Sequence, residues 1–230
     1  MAIDLWIEEL AVTDEEYRYY WSFLDKNEQY KALRFVQTIH GRHYVASHGK
    51  LRLILAEYLG MPPEKIDYAE QAFGKPVIVV DGLEHDIKFN LTHSDNKMLV
   101  AVGLDIQIGV DIEVWNSRID CASIASICFA ESERCFWNGL PTSRKDGFFY
   151  RLWTRKESFV KAVGVGIALD VSKVVTSPIG AAQFLSVPAG YGSAGDWALV
   201  DLDFGSGVSA ALTVPAKCYN RIELRQLELK

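Results

Sequence analysis

The sequence predicts an α+β protein made of two halves that join near residue 105. Helical patterns fill the first 60 residues and return in the second half, where the longest covers residues 146–163. Short β-branched or alternating runs, bounded by turn residues, follow each helical region. This order of helices, strands, helices and strands indicates domains at residues 1–105 and 106–230. No linker separates them, so we expect tight packing.

The first half opens with helices. Thr13-Asp14-Glu15-Glu16 has the pattern of a capping box, which satisfies the free amides at a helix start, and it predicts a short helix that runs toward Leu24. A second helix is expected at residues 28–36. A longer one is expected at residues 40–59, where Gly60 ends the helical spacing.

Strands occupy the middle and the end of the chain, on either side of the long helix at residues 146–163. That helix ends at Gly164, because glycine commonly closes a helix in a left-handed conformation. The predicted strands cover residues 76–80, 87–92, 98–103, 108–114, 198–204, 208–214 and 222–229.

The composition excludes several classes of protein. The formal net charge of −6 is opposite to that of a general nucleic-acid binder, so we expect no nucleic acid as a partner. No apolar run is long enough to span a membrane, and the N-terminus lacks the basic region of a signal peptide, so we expect a cytoplasmic protein. The four cysteines show no CxxC spacing, which favours buried thiols over disulfides or a thiolate metal site.

An acidic pair stands inside an apolar run at Gly109-Val110-Asp111-Ile112-Glu113. Side chains alternate along a strand, so Asp111 and Glu113 share one face. A half-buried pair of carboxylates favours a cation between them. The alternative is a strand that simply ends in two acidic residues.

The long helix of the second half has charged residues in and beside its apolar stripe. Lys156 falls within the stripe, Glu157 lies at its edge, and Lys161 lies one turn beyond Glu157. One interpretation is a snorkelling lysine with a solvated Glu–Lys pair. With Asp111 and Glu113 nearby, the other interpretation is a hard-cation site of three carboxylates, beside lysines that hold a polyphosphate.

Two further segments suit an anionic ligand. His93 lies in a turn between Thr92 and Ser94, whose hydroxyls and backbone amides can contact a phosphate. The first half of this acidic chain also contains a basic cluster, which either is a solvated helix surface or attracts a polyanion. Its members are Lys26, Lys31, Arg34, Arg42, Lys50 and Arg52.

In this order, these segments resemble the 4′-phosphopantetheinyl transferases, specifically the monomeric, pseudo-dimeric surfactin-synthetase (Sfp) type. The resemblance runs from about residue 27 to residue 167. Its blocks are Lys31-x-x-Arg34-Phe35 with Arg42 and Arg52 downstream; Phe73-Gly74-Lys75-Pro76; Phe89-Asn90-Leu91-Thr92-His93-Ser94; Gly109-Val110-Asp111-Ile112-Glu113; and Trp153-x-x-Lys156-Glu157-Ser158-Phe159-x-Lys161. Glu28 departs from the pattern, because some relatives have a lysine there.

The resemblance implies a pseudo-dimer of two similar α+β halves, each a long helix packed on a small antiparallel sheet, with coenzyme A between them. It also implies roles for individual residues. Asp111, Glu113 and Glu157 would bind Mg²⁺; Lys156 and Lys161 the pyrophosphate; Lys31, Arg42 and His93, beside the Thr92 hydroxyl, the 3′-phosphate; and Lys75 and Pro76 would border the adenine.

The implied reaction is attack by a serine of an apo acyl or peptidyl carrier protein on coenzyme A, with release of adenosine 3′,5′-bisphosphate. Glu157 is the expected base, directly or through a metal-bound water, Lys161 assists the leaving phosphate, and Asp111 completes the catalytic group. We expect a monomer whose carrier docks near residues 114–137. The alternatives are a magnesium-dependent enzyme acting on another nucleotide polyphosphate, and a non-catalytic coenzyme A-binding or carrier-docking module.

Overall fold

The computed structural model describes residues 2–219 and 222–227. It confirms an α+β fold. The helices are α1 (Asp14–Trp21), α2 (Lys26–Leu33), α3 (Thr38–Leu59), α4 (Cys121–Cys128), α5 (Glu131–Asn138) and α6 (Thr142–Val163). The strands are β1 (Ile3–Glu9), β2 (Asp67–Glu70), β3 (Pro76–Val80), β4 (Leu83–Glu84), β5 (Ile87–Ser94), β6 (Lys97–Leu104), β7 (Gly109–Val114), β8 (Val175–Thr176), β9 (Phe184–Ser186), β10 (Trp197–Leu202), β11 (Val208–Pro215) and β12 (Ile222–Arg225).

The first half packs α3 against a four-stranded sheet of order β12-β1-β6-β5. The pairs β1–β6 and β6–β5 are antiparallel, whereas β12 joins β1 in parallel. The capping box at Thr13 forms as predicted and starts α1. Gly60 ends α3 in the left-handed conformation, with a φ of 62°, a backbone geometry that glycine adopts without steric cost.

The second half packs α6 against the antiparallel sheet β10-β11-β7. Helix α6 has 22 residues, as α3 does, and it too ends at a left-handed glycine, Gly164. Gly109 lets the start of β7 approach the last turn of α6, because an added Cβ would lie 2.1 Å from the Ser158 carbonyl oxygen. The two halves therefore have the same plan, as expected for a pseudo-dimer.

A shared core joins the halves. Ile3, Leu5 and Leu99 of the first sheet are buried in one apolar cluster with Val110 and Leu212 of the second. Strands β5 and β7 lie side by side at this junction, where the Asn90 side chain accepts a 2.8 Å hydrogen bond from the Val110 amide. Residues from both halves are thus held in fixed relation where these two strands meet.

Two neighbouring strands of the first sheet, β1 and β12, depart from the sequence-based expectations. Strand β1 is absent from the predictions because the buried acid Asp4 interrupts its apolar run, and Leu5-Trp6-Ile7 interrupts the alternation that identifies a strand. Strand β12 ends at Arg225 and not at 229, and residues 228–229 lie outside the described part of the chain. It pairs with β1, so the end of the chain returns to the first sheet. None of the described helices combines the length and apolar character that a bilayer crossing requires.

Candidate active site

Two hydroxyls of β5 face two carboxylates of β7. Asp111 is 3% exposed, and the Thr92 hydroxyl lies 3.3 Å from its Oδ1. The Ser94 hydroxyl donates to Glu113 Oε2 at 2.8 Å and accepts the Val114 amide at 3.1 Å. Thr92 and Ser94 are two residues apart on β5, as Asp111 and Glu113 are on β7. Because side chains alternate along a strand, each hydroxyl faces one carboxylate.

Helix α6 lies against this acidic strand. Trp153, Glu157 and Lys161 follow one another at intervals of one turn and therefore share a face of the helix. The Lys161 ammonium donates to Asp111 Oδ1 at 2.5 Å and to the Thr92 hydroxyl at 2.9 Å. The Glu157 carboxylate has no hydrogen-bond or ion-pair partner within residues 2–219 and 222–227 and is available to a ligand.

The three carboxylates act on one another electrostatically. Burial raises the pKa of Asp111 to about 7, opposed by the charge of Lys161 and reinforced by Glu113 and Glu157. Burial is also the main cause of the raised pKa of Glu157, which Lys161 opposes and Glu113 reinforces. A single lysine does not offset three such groups, so the cluster favours additional positive charge.

The donor atoms fit a hard divalent cation in kind. Asp111 Oδ2 is buried and has no hydrogen-bond partner in the part of the chain that the structure describes, which leaves an acceptor that a cation would satisfy. Carboxylate oxygens are the ligands that Mg²⁺ prefers. However, no three acidic, histidine or cysteine side chains in the described ranges converge closely enough to hold a metal by themselves. Mg²⁺ is commonly bound by one or two carboxylates together with substrate phosphates, so the residues fit a cation that arrives with a phosphorylated ligand.

Two clefts share Trp153 as a wall. The first, of about 460 Å³, is lined by Phe73 and Pro76 of the first half and by Glu157 and Lys161 of the second. The second, of about 650 Å³, is lined by Ser94, Glu113, Trp115, Ile119 and Tyr150, among others. Glu157 therefore lines the first cleft and Glu113 the second, and each cleft includes residues of both halves.

Residues 9–104 match the family model described as "4′-phosphopantetheinyl transferase, N-terminal", and residues 107–211 match that of the 4′-phosphopantetheinyl transferase superfamily. The 4′-phosphopantetheinyl transferase HetI of a Nostoc species is 32% identical over 213 residues, which cover 92% of this chain and 87% of that protein. The chain belongs to the 4′-phosphopantetheinyl transferases. The transferase gsp of Aneurinibacillus migulanus is 30% identical over 167 residues, which cover 71% of this chain and 67% of that one.

Lys156 does not reach the clefts of this phosphopantetheinyl transferase, contrary to the expectation that it contacts a pyrophosphate. Its side chain is fully buried, and its ammonium pairs with Glu133 Oε2 at 2.8 Å. It also donates to the carbonyl oxygens of Val171 and Val174. An unpaired charge in the interior costs free energy, so Lys156, which lies in the apolar stripe of α6, needs these partners. Its ammonium therefore stays paired in the interior.

Arg42 is likewise occupied elsewhere. Its guanidinium donates to Asp14 Oδ1 at 2.8 Å and to the Val12 carbonyl at 2.7 Å, which ties α3 to the start of α1. It also lies over the Tyr17 ring, 5.0 Å from the centroid. The geometry therefore gives no support to the expected contact between Arg42 and a 3′-phosphate.

Lys31 and His93, the other two residues expected at the 3′-phosphate, both lie near the Tyr44–His48 pair. His93 is exposed at the end of β5, and the Lys31 ammonium lies 5.2 Å from the centroid of Tyr44, which stacks on His48. Desolvation by the surrounding chain lowers the pKa of His93, and neighbouring cationic groups lower it further. Those neighbours are His48, Lys161, His43 and His40. This cluster of imidazoles and lysines is a region of positive potential that suits an anion.

Glu28 has a structural role at the position where some relatives have lysine. Its carboxylate bonds His48 Nδ1 at 2.8 Å and the buried Arg52 guanidinium at 2.7 and 2.9 Å. Burial acts to raise the pKa of Glu28, but these hydrogen bonds outweigh burial and lower the pKa to about 2. A phosphate ligand therefore gains no contact from this position.

Sequence reasoning did not identify Glu133 as the partner of Lys156, nor Ser94 as the partner of Glu113. A lysine in an apolar stripe signals that a buried acid must exist, but not which one. Ser94 could have been found from its spacing, because it follows Thr92 by two residues just as Glu113 follows Asp111.

Proposed function

We propose that this phosphopantetheinyl transferase moves the 4′-phosphopantetheine of coenzyme A to a serine of an apo acyl or peptidyl carrier protein. The reaction is Mg²⁺-dependent and releases adenosine 3′,5′-bisphosphate. The observation that supports it best is the Lys161–Asp111–Thr92 contact beside Glu157, which has no partner among the described residues, with Glu157 and Lys161 lining one cleft and Glu113 the other. One cleft suits the nucleotide and the other suits the acceptor.

The nucleotide is assigned to the first cleft. The exposed Phe73 and Pro76 offer apolar surface for the adenine, and Lys161 stands on the opposite half of the cleft. Lys31 and His93 are assigned to the 3′-phosphate through the positive region around them. Asp111, Glu113 and Glu157 are assigned to Mg²⁺, which supplies positive charge against the charge that develops on the transferring phosphate.

Glu157 is assigned as the acceptor of the serine proton. In the metal-free protein burial raises the pKa of Glu157, which gives it a higher proton affinity than an exposed glutamate, and a bound cation would oppose that shift. Lys161 is assigned to the oxygens of the departing phosphate, where its fixed ammonium offsets the developing negative charge. Asp111 orients that ammonium.

The carrier is assigned to the second cleft and the adjoining residues 114–137. Trp115, Ile119 and Ile127 are exposed there by 41%, 43% and 76%, which gives this segment apolar surface for a partner. Arg118 and Arg134 provide cationic groups in the same segment, which also contains the exposed acids Asp120 and Glu131. An acidic, helical carrier surface would complement this combination. Because both walls of each cleft come from one chain, we also propose that the protein acts as a monomer.

The test is to incubate the protein with coenzyme A, Mg²⁺ and a panel of apo carrier proteins, and to determine the mass of each carrier. A gain of one phosphopantetheinyl group, lost when Mg²⁺ is chelated, supports the proposal. Binding of coenzyme A without any gain in mass would favour a non-catalytic coenzyme A-binding or carrier-docking module instead.

A further inference from the structure

The turn between β2 and β3 inserts a lysine into the other half of the molecule. The Lys75 ammonium donates to the carbonyl oxygens of Ile108 at 2.9 Å, Lys161 at 2.6 Å and Ala162 at 3.2 Å. Within the described ranges its hydrogen-bond partners are all carbonyl oxygens and none is a carboxylate. Only the stem of Lys75 and the neighbouring Pro76 remain to border the first cleft.

Lys75 completes the end of α6. The last carbonyls of a helix have no partner within the helix, and a cation is favourable beside them. The Gly164 amide satisfies Val160, and Lys75 satisfies the next two carbonyls, those of Lys161 and Ala162. Gly164 leaves room for the lysine stem, because an added Cβ would lie 3.1 Å from Lys75 Cδ.

The same lysine also holds the start of β7. Ile108 precedes Gly109, the point at which β7 touches the backbone of α6. Lys75 therefore ties the last turn of α6 to the strand that contains Asp111. Lys161 and Asp111, whose side chains lie 2.5 Å apart, belong to the two segments that Lys75 holds together.

We propose that Lys75 is a positioning residue for phosphopantetheine transfer: its ammonium fixes α6 against β7 so that Lys161 and Asp111 meet. This assigns Lys75 a role beyond the border of the adenine site, and it rests on the function proposed above. Lys75 itself touches neither the reacting atoms nor the cation. Its effect on the site acts through the backbones of Lys161 and Ile108.

The experiment measures Mn²⁺ binding in the presence of coenzyme A by electron paramagnetic resonance, at a temperature well below the unfolding midpoint of each variant. Lys75→Met keeps the apolar stem and leaves three carbonyls without their donor. We expect it to raise the Kd for Mn²⁺ by about 10-fold. We also expect kcat to fall by about 10-fold while the KM for the carrier stays within about threefold. Lys65→Met is the control, since Lys65 is exposed in the same half.

Lys75→Arg keeps a cationic donor and is the second variant, which tests the proposal even if Lys75→Met does not fold. Its planar guanidinium cannot direct three hydrogen bonds from one nitrogen, so we expect an intermediate Mn²⁺ affinity. A purely structural role would lower the unfolding midpoint of both variants but leave the Kd for Mn²⁺ at the wild-type value, which overturns the proposal. If the wild-type protein binds no Mn²⁺ with coenzyme A, the proposed function fails, independently of Lys75.

Discussion

Glu157 is the residue whose surroundings best fit the acceptor of the serine proton. Burial raises its pKa, and no side chain in the described ranges competes for its oxygens. Glu157→Gln keeps the shape but removes the charge and the proton affinity. We expect kcat to fall by about 100-fold to 10,000-fold, measured as the rate of carrier mass gain at saturating Mg²⁺.

The control for Glu157→Gln is Glu57→Gln, which makes the same change on the exposed surface of α3. We expect that variant to keep wild-type rates. The affinity for coenzyme A without metal should change little in either variant, because Glu157 makes no favourable contact with an anion. Near-normal transfer by Glu157→Gln would falsify the assignment of the base.

We expect Asp111 to make the proposed affinity for Mg²⁺ depend on pH. Its raised pKa of about 7 means that a proton competes with a cation for the carboxylate in the free protein. A cation binds the ionised form, so its binding releases a proton and strengthens as pH rises. We expect the apparent affinity for Mg²⁺ with coenzyme A to rise by up to about 10-fold per pH unit below pH 7 and to level off above about pH 8.

Calorimetric titration of Mg²⁺ across that pH range measures this dependence. Asp111→Asn removes the titrating group and should abolish both the slope and most of the affinity. A wild-type affinity that does not change between pH 6 and pH 8 would contradict the role of Asp111.

For single residues, local sequence patterns identified the members of the acidic cluster. They did not identify side-chain pairs between residues that are distant in sequence. Asp111 and Glu113 follow from the alternation of a strand, and Glu157 and Lys161 from the pitch of a helix. The burial of Lys156 by Glu133, 23 residues earlier, depends on how α5 packs on α6, which no local period encodes. The prediction that Arg42 contacts a phosphate lacks support for the same reason, because its partner Asp14 lies on another helix.

Helix α6 separates two lysines into different tasks. Lys156 points into the interior and is paired with Glu133, which is 1% exposed, whereas Lys161 reaches Asp111. Lys156→Met leaves the Glu133 carboxylate buried without its cation. We expect a loss of about 3–5 kcal/mol in the free energy of unfolding, measured by urea denaturation.

The matched variant for Lys156→Met is Lys161→Met on the same helix. We expect it to lose transfer activity but to lose less stability than Lys156→Met, because Asp111, whose pKa is already about 7, can take up a proton when its cation is removed. Adding Glu133→Gln to Lys156→Met removes the unpaired charge and should recover part of the lost stability. If Lys156→Met unfolds like the wild-type protein, the pair with Glu133 is not a stabilising element.

Several strands were predictable from local apolar runs and the turn residues that bound them, whereas β1 was not. Strands β3, β7 and β11 lie within one or two residues of their predicted bounds, and Thr13 and Gly60 fix ends of α1 and α3. Strand β1 was missed because its residues, Ile-Asp-Leu-Trp-Ile-Glu-Glu, show neither a clean alternation nor an uninterrupted apolar run, since Asp4 is buried among apolar neighbours. The pairing of β12 with β1 joins the two ends of the chain, and local sequence gives no signal of that contact.

The whole molecule brings the cationic groups of both halves to one place. His93 and Lys31 belong to the first half and Lys161 to the second, and the shared core holds them in fixed relation. Desolvation and nearby cations lower the pKa of His93, so the imidazole is mostly neutral near pH 7 in the free protein. A phosphate bound there reverses the local potential and raises that pKa, so binding takes up a proton.

Coenzyme A and its 3′-dephospho form separate this effect from all other contacts, since they differ by one phosphate. We expect calorimetry near pH 7, in two buffers of different ionisation enthalpy, to show more proton uptake for coenzyme A than for the dephospho form. The affinity for coenzyme A should therefore weaken with rising pH more steeply than that for the dephospho form, by up to about 10-fold per pH unit for each proton taken up. His93→Gln should remove most of the difference, while His85→Gln, outside this cluster, should keep it. Equal proton uptake by the two ligands would show that the 3′-phosphate lies away from the imidazoles.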